Sequence, residues 1–188
     1  MNLYCRTLLV MVALTALSLS VAAQDSKNFT KDGLSFDYPP GWTLTDDSNS
    51  DAQQLTLARA NSDVQFRVFV HKGKITPEKF ADAKKAFIDP YVVSTGKQFL
   101  QMGAKPEQTP ATSEIGGVKA EGVKISAVLG GDPGAANIYW ALVGQRVVVL
   151  TQFGPDKQLK EHQAAWDLMR NSLKVGDPKG TPSASPKP

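Results

Sequence analysis

Two histidines are the first residues whose chemistry invites a question. His71 stands in Val70-His71-Lys72-Gly73-Lys74 and His162 in Lys160-Glu161-His162-Gln163. A helical metal site needs two imidazoles on one face, four residues apart, and neither histidine has such a neighbour. A zinc or copper site would have to gather distant residues, with Asp or Glu completing it. Solvated or internally satisfied imidazoles are the simpler expectation, and metal ligands stay unassigned. No serine occupies Gly-x-Ser-x-Gly, the strained elbow that exposes a nucleophile, although a Ser-His-Asp set can be dispersed along a chain. Asp46-Asp47-Ser48-Asn49-Ser50-Asp51 is rich in oxygen ligands. It lacks the alternating Asx pattern, glycine and distal Glu of a calcium loop, and it gives no support to paired-carboxylate hydrolysis. A solvated loop is expected there. Gly130-Gly131-Asp132-Pro133-Gly134 joins two apolar segments without the Gly-Lys-Ser/Thr and following helix of a phosphate cradle, so it is expected to be a hairpin loop. Trp42, Trp140 and Trp166 each fall in an apolar periodic stripe and are expected in the core rather than on a stacking platform. No catalytic and no cofactor-binding residue is assigned, and no cofactor is expected.

The elements that would position a site are easier to read. In Gly33-Leu34-Ser35-Phe36-Asp37-Tyr38-Pro39-Pro40-Gly41-Trp42, three apolar residues alternate with polar ones, which is the period of a half-buried strand. Pro40 presets φ for the first corner of a turn and Gly41 suits the positive φ of the second. This segment is expected to form the first corner of the sheet. Leu55 and Leu57 alternate weakly, and Val64, Phe66, Val68 and Val70 alternate strongly, with Phe69 on the other face. Thr76-Pro77-Glu78 starts a helix, with Phe80, Ala83 and Phe87 at helical spacing. Asp89-Pro90 predicts a stop or kink, after which Tyr91, Ser94, Gln98 and Met102 can share one side with Phe99 beside them. Strands are expected over 111–115 and from Val118, where Gly122 suggests a bulge. Val147-Val148-Val149-Leu150 is apolar on both faces, which marks a central strand. Pro155-Asp156 opens a last helix carrying Leu159, His162, Gln163, Trp166, Met169 and Arg170. Strands joined by hairpins, with helices between two groups, give an α+β protein with a largely antiparallel sheet of about six or seven strands and helices on both faces, an α/β/α sandwich. Strands do not alternate with helices, which excludes a doubly wound nucleotide fold.

The ends of the chain read as address and tail. Arg6 precedes an apolar stretch that ends in Val21-Ala22-Ala23, so residues 1–23 are expected to be a signal peptide cleaved after Ala23. Cys5, the single cysteine, would leave with it. The mature chain would then hold no thiol and need no disulfide. One globular domain is expected over 24–175, and a Pro-rich disordered tail over 176–188. The 21 basic residues against 18 acidic ones give a net charge of +3, too weak a field for nucleic acid or anionic lipid. No membrane anchor is expected once the leader is removed.

The segment Gly33–Trp42, the apolar strand at Val147–Phe153 and the helix leading to Ser172-Leu173 resemble the PsbP-like superfamily over roughly Phe29 to Val175. The resemblance implies a sandwich around an antiparallel sheet. It also implies diverse roles: accessory subunits of the photosynthetic water-oxidising complex, a nuclear factor that binds a small GTPase, and exported bacterial proteins. No binding residue of the photosystem subunits is matched onto this chain, so none is carried over, and fold does not fix function. The expectation is an exported, periplasmic or secreted, non-catalytic binding or accessory module. It would bind another envelope or secreted protein at a sheet edge or in a cleft between helix and sheet. The alternatives are an extracytoplasmic hydrolase with a dispersed site, or a small-ligand or metal carrier.

Overall fold

The computed structural model describes residues 25–177. The expected signal peptide lies outside the described residues, as does the expected tail after Asp177. Five strands come first: β1 (Lys27–Lys31), β2 (Leu34–Tyr38), β3 (Trp42–Asp46), β4 (Ala52–Arg59) and β5 (Gln65–His71). A helical run comes next, made of a 3-10 turn (Pro77–Lys79), α1 (Phe80–Ala83), a π turn (Lys84–Ile88) and α2 (Asp89–Gln101). Then come β6 (Glu107–Ile115), β7 (Val118–Leu129), β8 (Asp132–Val143) and β9 (Arg146–Pro155). The chain continues through α3 (Asp156–Glu161), α4 (Gln163–Ser172) and the short β10 (Lys174–Val175).

Seven strands form one antiparallel sheet in the order β3-β4-β5-β9-β8-β7-β6, so the protein is α+β. β9 sits in the middle, as its two-sided apolar run requires. Val148 and Leu150 join one buried cluster with Leu55, Leu57, Phe66 and Val68, whereas Val147 and Val149 join another with Ile125, Ile138 and Trp140. Successive strand residues point to opposite faces, so the two clusters lie on opposite sides of the sheet. Trp166 and Met169 of α4 enter the first cluster; Ala83, Ile88 and Phe99 of the helical run enter the second.

The Gly33–Trp42 segment does not begin that sheet. β2 pairs with β1 and β10 in a separate three-stranded sheet, and Pro39-Pro40-Gly41 carries the chain across to β3 at the edge of the large one. Gly41 has φ 83°, as the turn requires. Alternation identifies a strand but not its partners. Leu34, Phe36 and Leu173 bury themselves in the first cluster, so the small sheet packs its apolar side on the large one. Three further expectations are corrected. The Gly130–Gly134 loop is only a two-residue turn, Gly130-Gly131, because Asp132 to Gly134 already belong to β8. Gly122 makes no bulge: the β7–β8 register runs unbroken through Glu121–Trp140, Gly122–Tyr139 and Val123–Ile138. Glycine is needed there for room, since a Cβ would fall 2.5 Å from the Tyr139 ring. Finally, β6 starts at Glu107 and includes Pro110, which an edge strand tolerates.

The helical run kinks before Asp89-Pro90 through the π turn, and this shifts the buried face. Ala83 and Ile88, five residues apart, are buried, while Phe87 is 39% exposed. The expected stripe through Ser94, Gln98 and Met102 faces solvent. The buried positions of α2 are Thr95, Gly96 and Phe99. One extra residue in the turn rotates the whole of α2 by about 100°, which a uniform helical period cannot anticipate.

Two polar links join the sheets. Arg146 and Gln53 are both 0% exposed. Arg146 Nη2 donates to Gln53 Oε1 at 2.6 Å and Nε to the His71 carbonyl at 2.9 Å; Nη1 donates to the Asp32 and Gly176 carbonyls at 3.1 and 3.3 Å. Gln53 Nε2 in turn donates to the Lys31 carbonyl at 2.8 Å. Burial lowers the Arg146 pKa, with Asp32 and Asp177 opposing. The second link is Lys31 Nζ to Asp46 Oδ2 at 2.7 Å. Hydrogen bonds from Lys31 and then Ser48 hold the Asp46 carboxyl at about 2, against an ordinary 3.8. A depressed carboxylate stabilises the fold above its unfolded value near 3.8, and that contribution fades as pH falls through about 2. With side chains 49% and 26% accessible, solvent screening keeps the pair to ~0.5 kcal/mol. Asp46→Asn is thus expected to cost ~0.5 kcal/mol near neutral pH and to lose that cost in acid. An NMR titration of the Asp46 carboxyl carbon checks it, and a midpoint near 3.8 would contradict the pairing.

Candidate functional site

The face of the large sheet that holds the second cluster is apolar under the helical run and polar beyond it. Across β4, β5 and β9 the register sets two rows of side chains on this face, Gln54–Phe69–Val149 and Thr56–Arg67–Thr151, with Val149 and Thr151 buried at the β9 end. Thr43 and Thr45 of β3, with Gln54 and Arg67, are exposed on this side. The sequence Gln54-Leu55-Thr56 and Arg67-Val68-Phe69 places Leu55 and Val68 in the opposite core and leaves the alternate residues here. Phe87, turned outward by the π turn, and Tyr91 of α2 form a wall beside these rows. The resulting groove has a volume of about 460 Å³, with Asp47 at its β3 side. Tyr91 Oη donates to Thr151 Oγ1 at 3.1 Å, and Asp47 N donates to the Gln54 carbonyl at 2.9 Å. Arg67 Nη2 donates to Gln65 Oε1 at 3.1 Å. Among the described residues no carboxylate lies in salt-bridge range of Arg67. The groove therefore offers a guanidinium, hydroxyls and an amide beside two phenylalanines and a tyrosine. It is equipped to hold a ligand that is part polar and part aromatic.

A second hollow of about 290 Å³ lies at the C-terminal end of α2, between Phe99, Met102, Leu129, Pro133 and Phe153. Its lining is apolar apart from Asp63, Asp132 and backbone, so it offers less to recognise.

The residues first considered for chemistry are not brought together. His71 caps β5, its Nδ1 3.2 Å from the Gly73 carbonyl and its ring 4.8 Å from Phe87. His162 lies between α3 and α4, edge-on to Trp42 at 5.3 Å. Among the described residues neither imidazole bonds to a hydroxyl or carboxylate, and no group of three His, Asp or Glu is placed to hold a metal ion. The Asp46–Asp51 segment directs its oxygens to its own turn and to lysines, Asp46 Oδ2 to Lys31 and the Asn49 carbonyl to Lys72. Asp46 accepts from Ser48 N at 3.0 Å, and Asn49 Oδ1 accepts from Asp51 and Ala52 N, both at 2.9 Å. All three tryptophans are buried: Trp42 at 3%, Trp140 at 7% and Trp166 at 2% exposure. Sequence reasoning missed Arg67, Phe87 and Tyr91 as neighbours. Arg67 carried a signal, since it is a charge on the same face of β5 as the apolar Phe69. Phe87 carried none, because only the π turn sends it there.

The class defined so far is an α+β protein with an open, partly polar groove beside a helical run. No protein-family model matches the chain, and no curated protein matches it. Solved structures do. Cyanobacterial PsbP (CyanoP) from Synechocystis aligns with 83% of this chain and 95% of its own, at 14% identity and a TM-score of 0.53. A protein from Bacteroides thetaiotaomicron aligns over 79% of this chain and 48% of its own, at 13% identity and a TM-score of 0.50. The Saccharomyces cerevisiae Ran-binding protein Mog1p covers 82% of this chain and 97% of its own, at 9% identity and a TM-score of 0.49. The chain has the PsbP-like fold. At such identities the likeness carries the fold and leaves function to the chain's own residues.

Proposed function

We propose that this protein is an exported, non-catalytic binding module of the envelope or its surroundings, and that it holds a partner protein through the groove lined by Arg67, Phe69, Phe87 and Tyr91. The observation that carries the reading is the groove's composition. It joins partly exposed aromatic surface to a guanidinium with no ion-pair partner among the described residues, a pairing enriched at protein interfaces. Among the described residues its hydroxyls, Thr56, Thr151 and Tyr91, share no hydrogen bond with a histidine, and His71, which touches the groove wall at Phe87, has its Nδ1 at the Gly73 carbonyl, which favours binding over hydrolysis. The leader-like sequence of residues 1–23 supports export. Helical cover on both sheet faces, as in an α/β/α sandwich, belongs to this reading and is supported by helix side chains entering both clusters.

A photo-crosslinking residue at Thr56, inside the groove, and another at exposed Lys119 on β7 test it in the native envelope fraction. A discrete protein adduct is expected at position 56 and absent at 119. Equal adducts at both positions would remove the groove as the docking surface, and none at 56 together with turnover of an ester, phosphate or peptide panel would replace the binding module by the hydrolase. A volume of about 460 Å³ also suits a small molecule; a groove-specific adduct to a protein decides against that carrier.

A further inference from the structure

We infer that the partner segment seated in this groove is an extended stretch with an acidic residue two positions from an aromatic one. The inference rests on the groove being the binding surface and goes on to name what it recognises. The acid is implied by the Thr56–Arg67–Thr151 row. Arg67 is flanked on both sides by hydroxyl residues through direct strand pairing, Thr56 on β4 and Thr151 on β9. Thr151 is buried and its Oγ1 accepts from Tyr91 Oη, so the hydroxyl that a ligand can reach beside Arg67 is that of half-buried Thr56. A guanidinium fork beside a hydroxyl matches a carboxylate, and the same fork has no acid of its own within reach among the described residues.

The aromatic is implied by the neighbouring row. Phe69 stands two residues along β5 from Arg67, on the same face, with Phe87 and Tyr91 along the groove wall. Two residues of extended chain span ~6.8 Å, which is also the spacing between facing side chains of an extended ligand. A ligand carboxylate over Arg67 therefore sets the side chain two positions away over Phe69 and Phe87, where an aromatic ring can stack or meet edge to face. Asp47 fixes the direction. It lies beside Gln54 at the β3 side of the groove, so an acid placed there meets like charge, whereas over β5 it meets Arg67.

The probes are two acetylated, amidated pentapeptides, Gly-Phe-Ser-Asp-Gly and its Asn counterpart Gly-Phe-Ser-Asn-Gly, titrated into the isotope-labelled full chain and followed by amide chemical shifts. The Asp peptide is expected to move Thr56, Arg67, Phe69 and Thr151 and to bind about tenfold tighter than the Asn peptide. Arg67→Gln, at an exposed position that leaves the melting temperature unchanged, is expected to erase that difference. Equal binding of both peptides in the groove would overturn the acidic assignment while leaving the groove as the binding surface. Shifts elsewhere, or none, would also overturn the inference. The groove itself is then judged by the crosslink at position 56, which does not depend on the charge of a peptide.

Discussion

Arg146→Met is expected to lower the unfolding free energy by ~3–5 kcal/mol, measured by urea denaturation with an unchanged m-value. The size reflects the acceptors that the guanidinium satisfies. Its four hydrogen bonds reach Gln53 Oε1 and the carbonyls of Asp32, His71 and Gly176. These belong to the β1–β2 turn, β4, the end of β5 and the segment after β10, so one side chain joins both sheets. Methionine fills much of the volume but donates nothing. Each buried acceptor left without a donor costs ~1–3 kcal/mol, less where the backbone relaxes toward water. Arg146→Lys keeps the charge with three donors on a point-like head and cannot copy the planar fork, so it should fall between the two. A loss under ~1 kcal/mol for the methionine variant would mean that water already serves these carbonyls. Amide exchange would show where the loss falls: Gly176 N, bonded to the Gly33 carbonyl at 2.8 Å, should lose protection before β9 does.

Arg146 also shows where sequence reading stops. It comes directly after the turn Gly144-Gln145 and looks like an ordinary charged hairpin residue. Nothing local says that the β1–β2 turn and the segment after β10 fold over it, because those contacts span 114 and 30 residues. By contrast, β9 was legible as the central strand, since two-sided apolarity has one structural meaning. The three tryptophans were legible as core because each falls in an apolar periodic stripe. The small sheet was not, because Leu34 and Phe36 alternate identically whichever sheet they join. The groove was half legible. A cleft between helix and sheet was expected, but its wall depends on a π turn that displaces Phe87 by one position, and its cation on which half of the sheet the helical run leaves uncovered. Periodicity reports burial along one element; it does not report how far a neighbouring element reaches.

The division between what holds the fold and what meets a partner can be tested at two aromatic residues. Trp166→Ala is expected to cost ~3–5 kcal/mol. Trp166 is 2% exposed, with its ring 5.3 Å from Phe66 and 6.3 Å from Tyr139. Phe66 in turn stacks on Trp42 at 4.5 Å. The chain of rings thus ties α4 to β8, β5 and β3. Phe66 on β5 and Tyr139 on β8 stand on strands each held by a neighbour on both sides and cannot move in to fill the space, so the truncation leaves a cavity rather than a collapse. The variant carries its own spectroscopic sign. Burial pushes the Tyr139 phenol pKa up, with Arg170 pulling it down. Removing the indole admits water, so the phenol should titrate lower than in the parent protein when monitored by ultraviolet absorbance. Phe87→Ala, at 39% exposure on the groove wall, should leave stability within ~0.5 kcal/mol. It should nevertheless weaken the adduct at position 56. A large loss of stability at Phe87, or none at Trp166, would reverse the assignment of these two rings. The groove would then be part of the core that carries the fold rather than a surface open to a partner.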